Sequence, residues 1–344
     1  MANFTPDGIA PCCEYLFVVK TRSLVEYSSD PRVIDLIKKH KVGDFEVLPD
    51  KCKECIVSGN NRRYGPVDNN HNLVDLNLTI DYDCGFDCIM CYSTKKKRKA
   101  LDAYGDDHLD FKYIINNEDK SDYLDNDYSG VKRVTLAGGD PAMIKLYPKI
   151  LEKIDASAEL TYHYNGDSVA VTKRNSLLKE LSRFKNLDLV VSLDGDLSFN
   201  EYHRVGFKKD NFLANLKKVE ETLNPRSFTI LFTVTSLSLF RVIDFVKELS
   251  VTPQLKKYSV VYHCCISPEQ YNPRNLPRSL KMLAIKKIST LGDSELITVM
   301  RDMIMGSGNT LYFKKLMVEL DKRELYYNHC VNDYVPEIRR YRSE

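Results

Sequence analysis

From residue 73 onward, short apolar runs alternate with amphipathic segments, and this rhythm constrains the fold more than any other feature. The candidate strands are 73–81, 132–137, 160–164, 188–193, 228–235 and 259–263. Between them, apolar residues recur at helical spacing over 143–154, 174–184, 211–223 and 239–249. A strand needs a partner for its edges and a helix needs one for its apolar stripe. Regular strand–helix alternation satisfies both with a parallel sheet built of βα units. Six units suit an open, partial barrel better than a closed eight-fold one. No internal sequence repeat is present. The first run alternates strictly, with Val74, Leu76, Leu78 and Ile80 on one face and Asp75, Asn77, Thr79 and Asp81 on the other. A polar face of that kind expects a cavity with contents rather than a packed plug.

The chain divides near residue 72. Before it, NFTPDGIAPCC reads as a hairpin closed at Asp7-Gly8. Asp30-Pro31 opens a helix, with the carboxylate as N-cap and proline in the first turn, and Gly43 ends it. Cys52-Lys-Glu-Cys55 follows in a polar loop. A module this small needs a metal or a neighbour to stay folded. Residues 95–130 read as an excursion, a Lys95–Lys99 charge run and then an acidic Asn/Asp/Tyr stretch. The charge run is read as a solvated loop or as a basic collar for an anionic substrate. From Pro277 the chain reads as mostly helical with a polar tail. The expected units are therefore 1–72, 73–276 and 277–344.

Composition narrows the function classes. Among 344 residues, 43% are hydrophobic and 28% charged, and the net charge is +2. That balance generates no field demanding nucleic acid or membrane, and no run of about 18 apolar residues exists. The N-terminus lacks a basic segment and an unbroken apolar core, so no signal peptide is expected. Seven of ten cysteines fall within the first 91 residues. Without a secretory context, that clustering expects a cytoplasmic chain with thiolate ligands rather than disulfides.

Cys84-Gly-Phe-Asp-Cys88-Ile-Met-Cys91 directly follows the first strand. Three thiolates within eight residues can converge on one face of a cubane cluster and leave one iron without a protein ligand. A zinc site would want a fourth Cys or His nearby, and the next histidine is His108 in the excursion. Downstream, Gly138-Gly139-Asp140-Pro141 follows the second strand, Tyr164-Asn165-Gly166 ends the third, and Ser192-Leu193-Asp194-Gly195 ends the fourth. Paired glycines admit a ligand close to the backbone, and a carboxylate suits an ammonium.

With CxxxCxxC, a GGEP-like motif, SLDG and Tyr202-His203-Arg204 in this order, the chain resembles the radical S-adenosylmethionine (SAM) superfamily. The layout, with PCC and CxxC ahead of the barrel, is similar to twitch domain-containing members. The resemblance implies a partial (β/α)6 radical SAM barrel with a small N-terminal twitch/SPASM-like module. It implies that Cys84, Cys88 and Cys91 hold a [4Fe–4S] cluster that reductively cleaves SAM to a 5′-deoxyadenosyl radical. That radical abstracts a hydrogen atom from a substrate, whether a peptide or protein or a small nucleotide-like molecule. It assigns SAM contacts to Met90, Gly138, Gly139, Asp140, Pro141, Asn165, Ser192 and Asp194. Met90 stands where many relatives set an aromatic against adenine. A one-electron reductant such as a flavodoxin or ferredoxin is implied as partner. Cys13, Cys52 and Cys55, with Cys12 or Cys330 as a further ligand, are the candidates for a second iron–sulfur cluster or a zinc ion. A non-catalytic iron–sulfur or zinc protein on the same scaffold is the alternative outside enzymes. His203 and Arg204 are read as an anion site or as helix surface. Ser236 is read as a helix cap, and Cys264 and Cys265 as small buried hydrophobes.

Overall fold

The computed structural model describes residues 2–5, 8–10, 19–41, 74–91, 120–166 and 176–342. They form an α/β fold around one sheet of eight strands. The strands of this sheet are β1 (Ala2–Thr5), β2 (Gly8–Ala10), β3 (Asp75–Leu78), β5 (Arg133–Leu136), β6 (Glu159–Tyr164), β7 (Asn186–Ser192), β9 (Ser227–Val234) and β10 (Ser259–Cys264). Two short strands, β4 (Asp87–Cys88) and β8 (Arg204–Val205), pair with each other outside it. The sheet order is β10-β9-β7-β6-β5-β3-β1-β2. Every pair from β3 to β10 is parallel, and the strands follow in chain order. Right-handed crossovers between sequential strands put the connecting helices of the described residues on one face. The other face stays open, which is the architecture of a partial (β/α)6 barrel.

The expected strands are present at slightly narrower limits, because the alternation outlasts the ladder hydrogen bonds by a residue or two. On the helix face Leu76, Leu78, Leu136, Leu160, Leu187, Val191, Ile230 and Phe232 are buried. Their sequence neighbours Asn77, Thr135, Thr161, Ser192 and Thr229 are half-buried on the open face. Burying a Leu, Ile or Phe side chain stabilises by roughly 1.5–3 kcal/mol, so this face fixes the register of the strands.

The helices are α1 (Leu24–Ser29), α2 (Pro31–Lys41), α3 (Leu146–Leu151), α4 (Ser176–Leu181), α5 (Leu197–His203), α6 (Lys209–Leu223), α7 (Val242–Val251), α8 (Arg278–Ile288), α9 (Ser294–Ile304) and α10 (Thr310–Tyr327). Their ends are written in the sequence. Asp196 starts α5 by accepting the Phe199 amide, and Asp293 starts α9 by accepting that of Leu296. Asn224 and Asn328 close α6 and α10 in the left-handed region, which asparagine tolerates.

Several local readings change. Gly8 opens β2 opposite Thr5, so it lies in the ladder, and the N-terminal hairpin is the edge of the main sheet, with β1 parallel to β3. The last part of the excursion is anchored. Tyr123 and Tyr128 are buried, and Tyr123 stacks on Phe4 with ring centroids 4.5 Å apart. Tyrosine brings a large apolar body into a stretch that reads as polar. The tail beyond α10 likewise buries Val331, Val335 and Ile338. Ser236 caps no helix; its hydroxyl donates to the Asn272 carbonyl, while Thr235 accepts the Leu237 and Ser238 amides.

Candidate active site

The cysteine loop, residues 81–91, leaves the carboxyl end of β3 and is held on several sides. Asp81 accepts Lys120 Nζ at 2.9 Å and the Tyr82 amide at 2.7 Å. From the neighbouring β5 end, the Gly139 amide donates to Asp81 O at 3.2 Å and the Asp140 amide to Asp83 O at 2.7 Å. The two glycines are required by this approach. A Cβ on Gly138, whose φ is +110°, would lie 2.5 Å from Asp81 O, and one on Gly139 would lie 2.3 Å from Asp83 O. The closeness they allow is therefore to the chain's own cysteine loop. The Gly138 and Gly139 carbonyls accept no hydrogen bond from the described residues, and a carbonyl is what an ammonium requires.

Asp140 is buried, and its Oδ1 caps the short turn Pro141–Met143 by accepting the Ala142 amide at 3.0 Å. Pro141 occupies the first position of that turn. On the other side, Asn165 Nδ2 donates to Cys84 Sγ at 3.3 Å, tying the end of β6 to the loop. The β4–β8 ladder sets Cys88 opposite Arg204, and the Ile89 amide donates to His203 O at 2.9 Å. Tyr327, at the end of α10, hydrogen-bonds Asp87. Met90 is half-buried against the core.

Cys84, Cys88 and Cys91 are all thiols, Cys88 buried and the other two half-buried. Burial pushes the Cys84 thiol up to about 11, and the nearby Asp140 and Cys91 add to the rise. Burial also pushes Cys88 well above the ordinary thiol range, while the Arg204 charge pulls the other way. Each of these two thiols thus feels Cys91 and Arg204. Among the described residues no three His, Cys, Asp or Glu side chains close to the radius of one metal ion. A cubane takes its three thiolates at three separate iron corners, further apart than the ligands of a single ion. Soft, buried thiol donors next to a guanidinium fit such an anionic cluster.

The end of β7 supplies a second group. Asp194 is fully buried; its Oδ2 accepts Arg204 Nε at 2.9 Å and its Oδ1 accepts the Thr233 amide at 3.1 Å. Burial alone would raise this carboxyl, but the Arg204 charge and the hydrogen bonds outweigh it and hold it below the usual carboxylate range. His203 Nδ1 stands 3.3 Å from Asp194 Oδ2 without hydrogen-bond alignment. Burial lowers the imidazole's pKa, against the opposing pull of Asp194. His203 and Arg204 are thus interior residues, not helix surface, and Arg204 already has an anion in Asp194. Ser192, one turn of the pleat before Asp194, keeps a half-buried hydroxyl on the open face with no partner among the described residues. The sequence reading missed Asp87 and Asn200, whose side chain accepts the Asp194 amide and donates to Gly195 O. A buried polar residue on a two-residue strand or a seven-residue helix leaves no periodic signature. Cys13, Cys52 and Cys55 lie outside the described residues. Cys264 is half-buried and Cys265 buried.

No family model matches the sequence, and no curated protein matches it. Solved structures do. Polyhistidine-tagged anSMEcpe with bound AdoMet is 14% identical over 62% of this chain and 58% of that one, with a TM-score of 0.39. Streptococcus suis SuiB bound to the precursor peptide SuiA is 17% identical over 70% and 59%, with a TM-score of 0.37. TYW1 with a lysine–pyruvate adduct is 12% identical over 61% and 70%, with a TM-score of 0.30. The chain spans less than two thirds of the length of the first two structures. Among the described residues no helix is long and apolar enough to cross a membrane.

Proposed function

We propose that this chain is a radical SAM enzyme that abstracts a hydrogen atom from its substrate. The carrying observation is the placement of Cys84, Cys88 and Cys91 on one partly buried loop at the carboxyl end of the sheet, braced by the Gly138-Gly139 pair. In this reading Cys84, Cys88 and Cys91 would hold a [4Fe–4S] cluster, which when bound would supply the electron for reductive cleavage of SAM to methionine and a 5′-deoxyadenosyl radical. The rest is the protein's work. The Gly138 and Gly139 carbonyls receive the methionine ammonium, and the Ser192 hydroxyl receives a polar group of SAM from the facing strand. Asp194 acts through Arg204, holding the guanidinium beside Cys88. Met90 packs where the adenine lies, a role its thioether suits. The helix-backed strands exclude water from the reaction.

Cys13, Cys52 and Cys55 are proposed as ligands of an accessory cluster or zinc ion in a twitch-like module, with a flavodoxin or ferredoxin as reductant. A peptide or protein is the preferred substrate, since the open face of the sheet offers neutral hydrogen-bonding groups rather than unpaired cations among the described residues. Metal analysis tests the cluster assignment. Changing Cys84, Cys88 and Cys91 together to Ala is expected to remove about four irons and four sulfides per chain. An unchanged iron content places the cluster elsewhere, and a colourless, zinc-only protein supports the non-catalytic alternative.

A further inference from the structure

The two ends of the sheet are finished differently. At one end β2 is three residues long, and Ile9 is bridged on its outer side to Val19 by hydrogen bonds of 3.0 and 2.9 Å. At the other end β10 runs six residues, Ser-Val-Val-Tyr-His-Cys, with no Lys, Pro or Gly. Shortness, a covering segment, lysine and proline are the devices that keep an edge strand from recruiting another. Parallel pairing engages alternate residues. Because the Cys265 amide goes to Val234 O, the amides and carbonyls of Val260, Tyr262 and Cys264 face outward. None of them has a partner among the described residues.

The side chains of this edge suit the same role. Ser259, Val261 and His263 are exposed on the open face, Val261 by 49%, and Ile266 just beyond is 58% exposed. Val261 lies in register with Leu231, and Leu231 with Ser192. The bare edge is thus continuous with the row that reaches the candidate SAM site. On the open face Arg133 pairs with Asp75, and Arg226 is shared between Asp188 and Glu159. Between them, Asn77, Thr135 and Thr161 sit side by side on adjacent strands as neutral hydrogen-bonding groups. A phosphorylated ligand would find no unpaired cation among these residues.

We propose that the outer edge of β10 docks an extended, uncharged polypeptide segment as a ninth strand. The outward groups of Val260, Tyr262 and Cys264 bond its backbone. The apolar shelf of Val261 and Leu231 passes alternate side chains to the open face beneath the cysteine loop. The consequence for catalysis rests on the radical SAM reading; the docking itself does not.

Residue-resolved amide exchange of the full, cluster-loaded chain tests the docking. The probe is a pool of acetylated, amidated heptapeptides built from Gly, Ala, Ser, Thr and Val, at millimolar concentration. Exchange at Val260, Tyr262 and Cys264 is expected to slow at least tenfold. Val260→Pro is tolerated by a strand edge because its amide faces outward, and it is expected to abolish that protection, as is Val261→Lys. Three outcomes overturn the proposal: unchanged exchange, protection that persists in Val260→Pro, and protection without peptide that grows with protein concentration. The last would assign the edge to a second copy of the chain. SAM cleavage without peptide is unaffected by these variants, so a failure of docking and a failure of the SAM reading are separately visible.

Discussion

His203 and Arg204 are adjacent in sequence and opposite in electrostatic effect. Arg204 is fully compensated by Asp194, and breaking such a pair by removing one partner leaves an unpaired buried charge. His203 is held neutral by burial, and this has a consequence for stability. In the unfolded chain a histidine takes up a proton near pH 6.5; the buried ring, with its lowered pKa, does not. Below that pH the unfolded state binds more protons, so stability falls as pH falls, by up to about 1.4 kcal/mol per unit. Asp194 acts in the same direction only at lower pH, where its depressed carboxyl ceases to contribute below the ordinary carboxylate range. Urea titrations at pH 7.5 and 5.5 should therefore show a loss of about 1 kcal/mol that His203→Phe removes. An identical loss in the variant would mean that other groups carry it. The sequence made both residues visible as candidates, but it could not place them. The pattern that buries them comes from the β4–β8 ladder, two residues on each strand, too short to register as periodicity.

Loops and strand ends depend on contacts between segments that are distant in the chain. The cysteine spacing and the glycine pair are each legible in the sequence, yet their mutual contact is not, because it joins residues more than fifty positions apart. The glycines are read from sequence as room for a ligand; they are also room for the backbone of residues 81–83. Gly139→Ala would place a Cβ 2.3 Å from Asp83 O. Backbone atoms must then move, at a cost of about 1–3 kcal/mol. Chemical unfolding together with iron quantification should show lower stability and reduced iron uptake at once. Wild-type iron uptake in this variant would mean that the loop does not depend on the approach of β5. The strands themselves were readable because each one buries alternate residues against helices. The Tyr123 and Tyr128 anchors were hidden by their acidic neighbours.

For the whole molecule, the sequential strand order does the organising. It gathers the ends of β3, β5, β6 and β7 on one side of the sheet, and with them the cysteine loop, Gly138-Gly139, Asn165 and Ser192. Strand–helix alternation was enough to foresee this, since right-handed crossovers leave few other arrangements. The attachments at both chain ends were not foreseeable. The N-terminal hairpin joins the sheet through β1, and the C-terminal segment sends Tyr327 to Asp87 and buries Val331, Val335 and Ile338. Pairing across such distances depends on surfaces that exist only after the sheet has formed. The proposed function requires that the cysteine loop and the facing strand ends together form a SAM-cleaving site. It is tested most directly by anaerobic reconstitution with iron and sulfide, followed by dithionite and SAM and measurement of 5′-deoxyadenosine. The proposed function predicts 5′-deoxyadenosine from the wild-type chain and none from Cys84→Ala; a chain carrying its full [4Fe–4S] complement that forms none would contradict it.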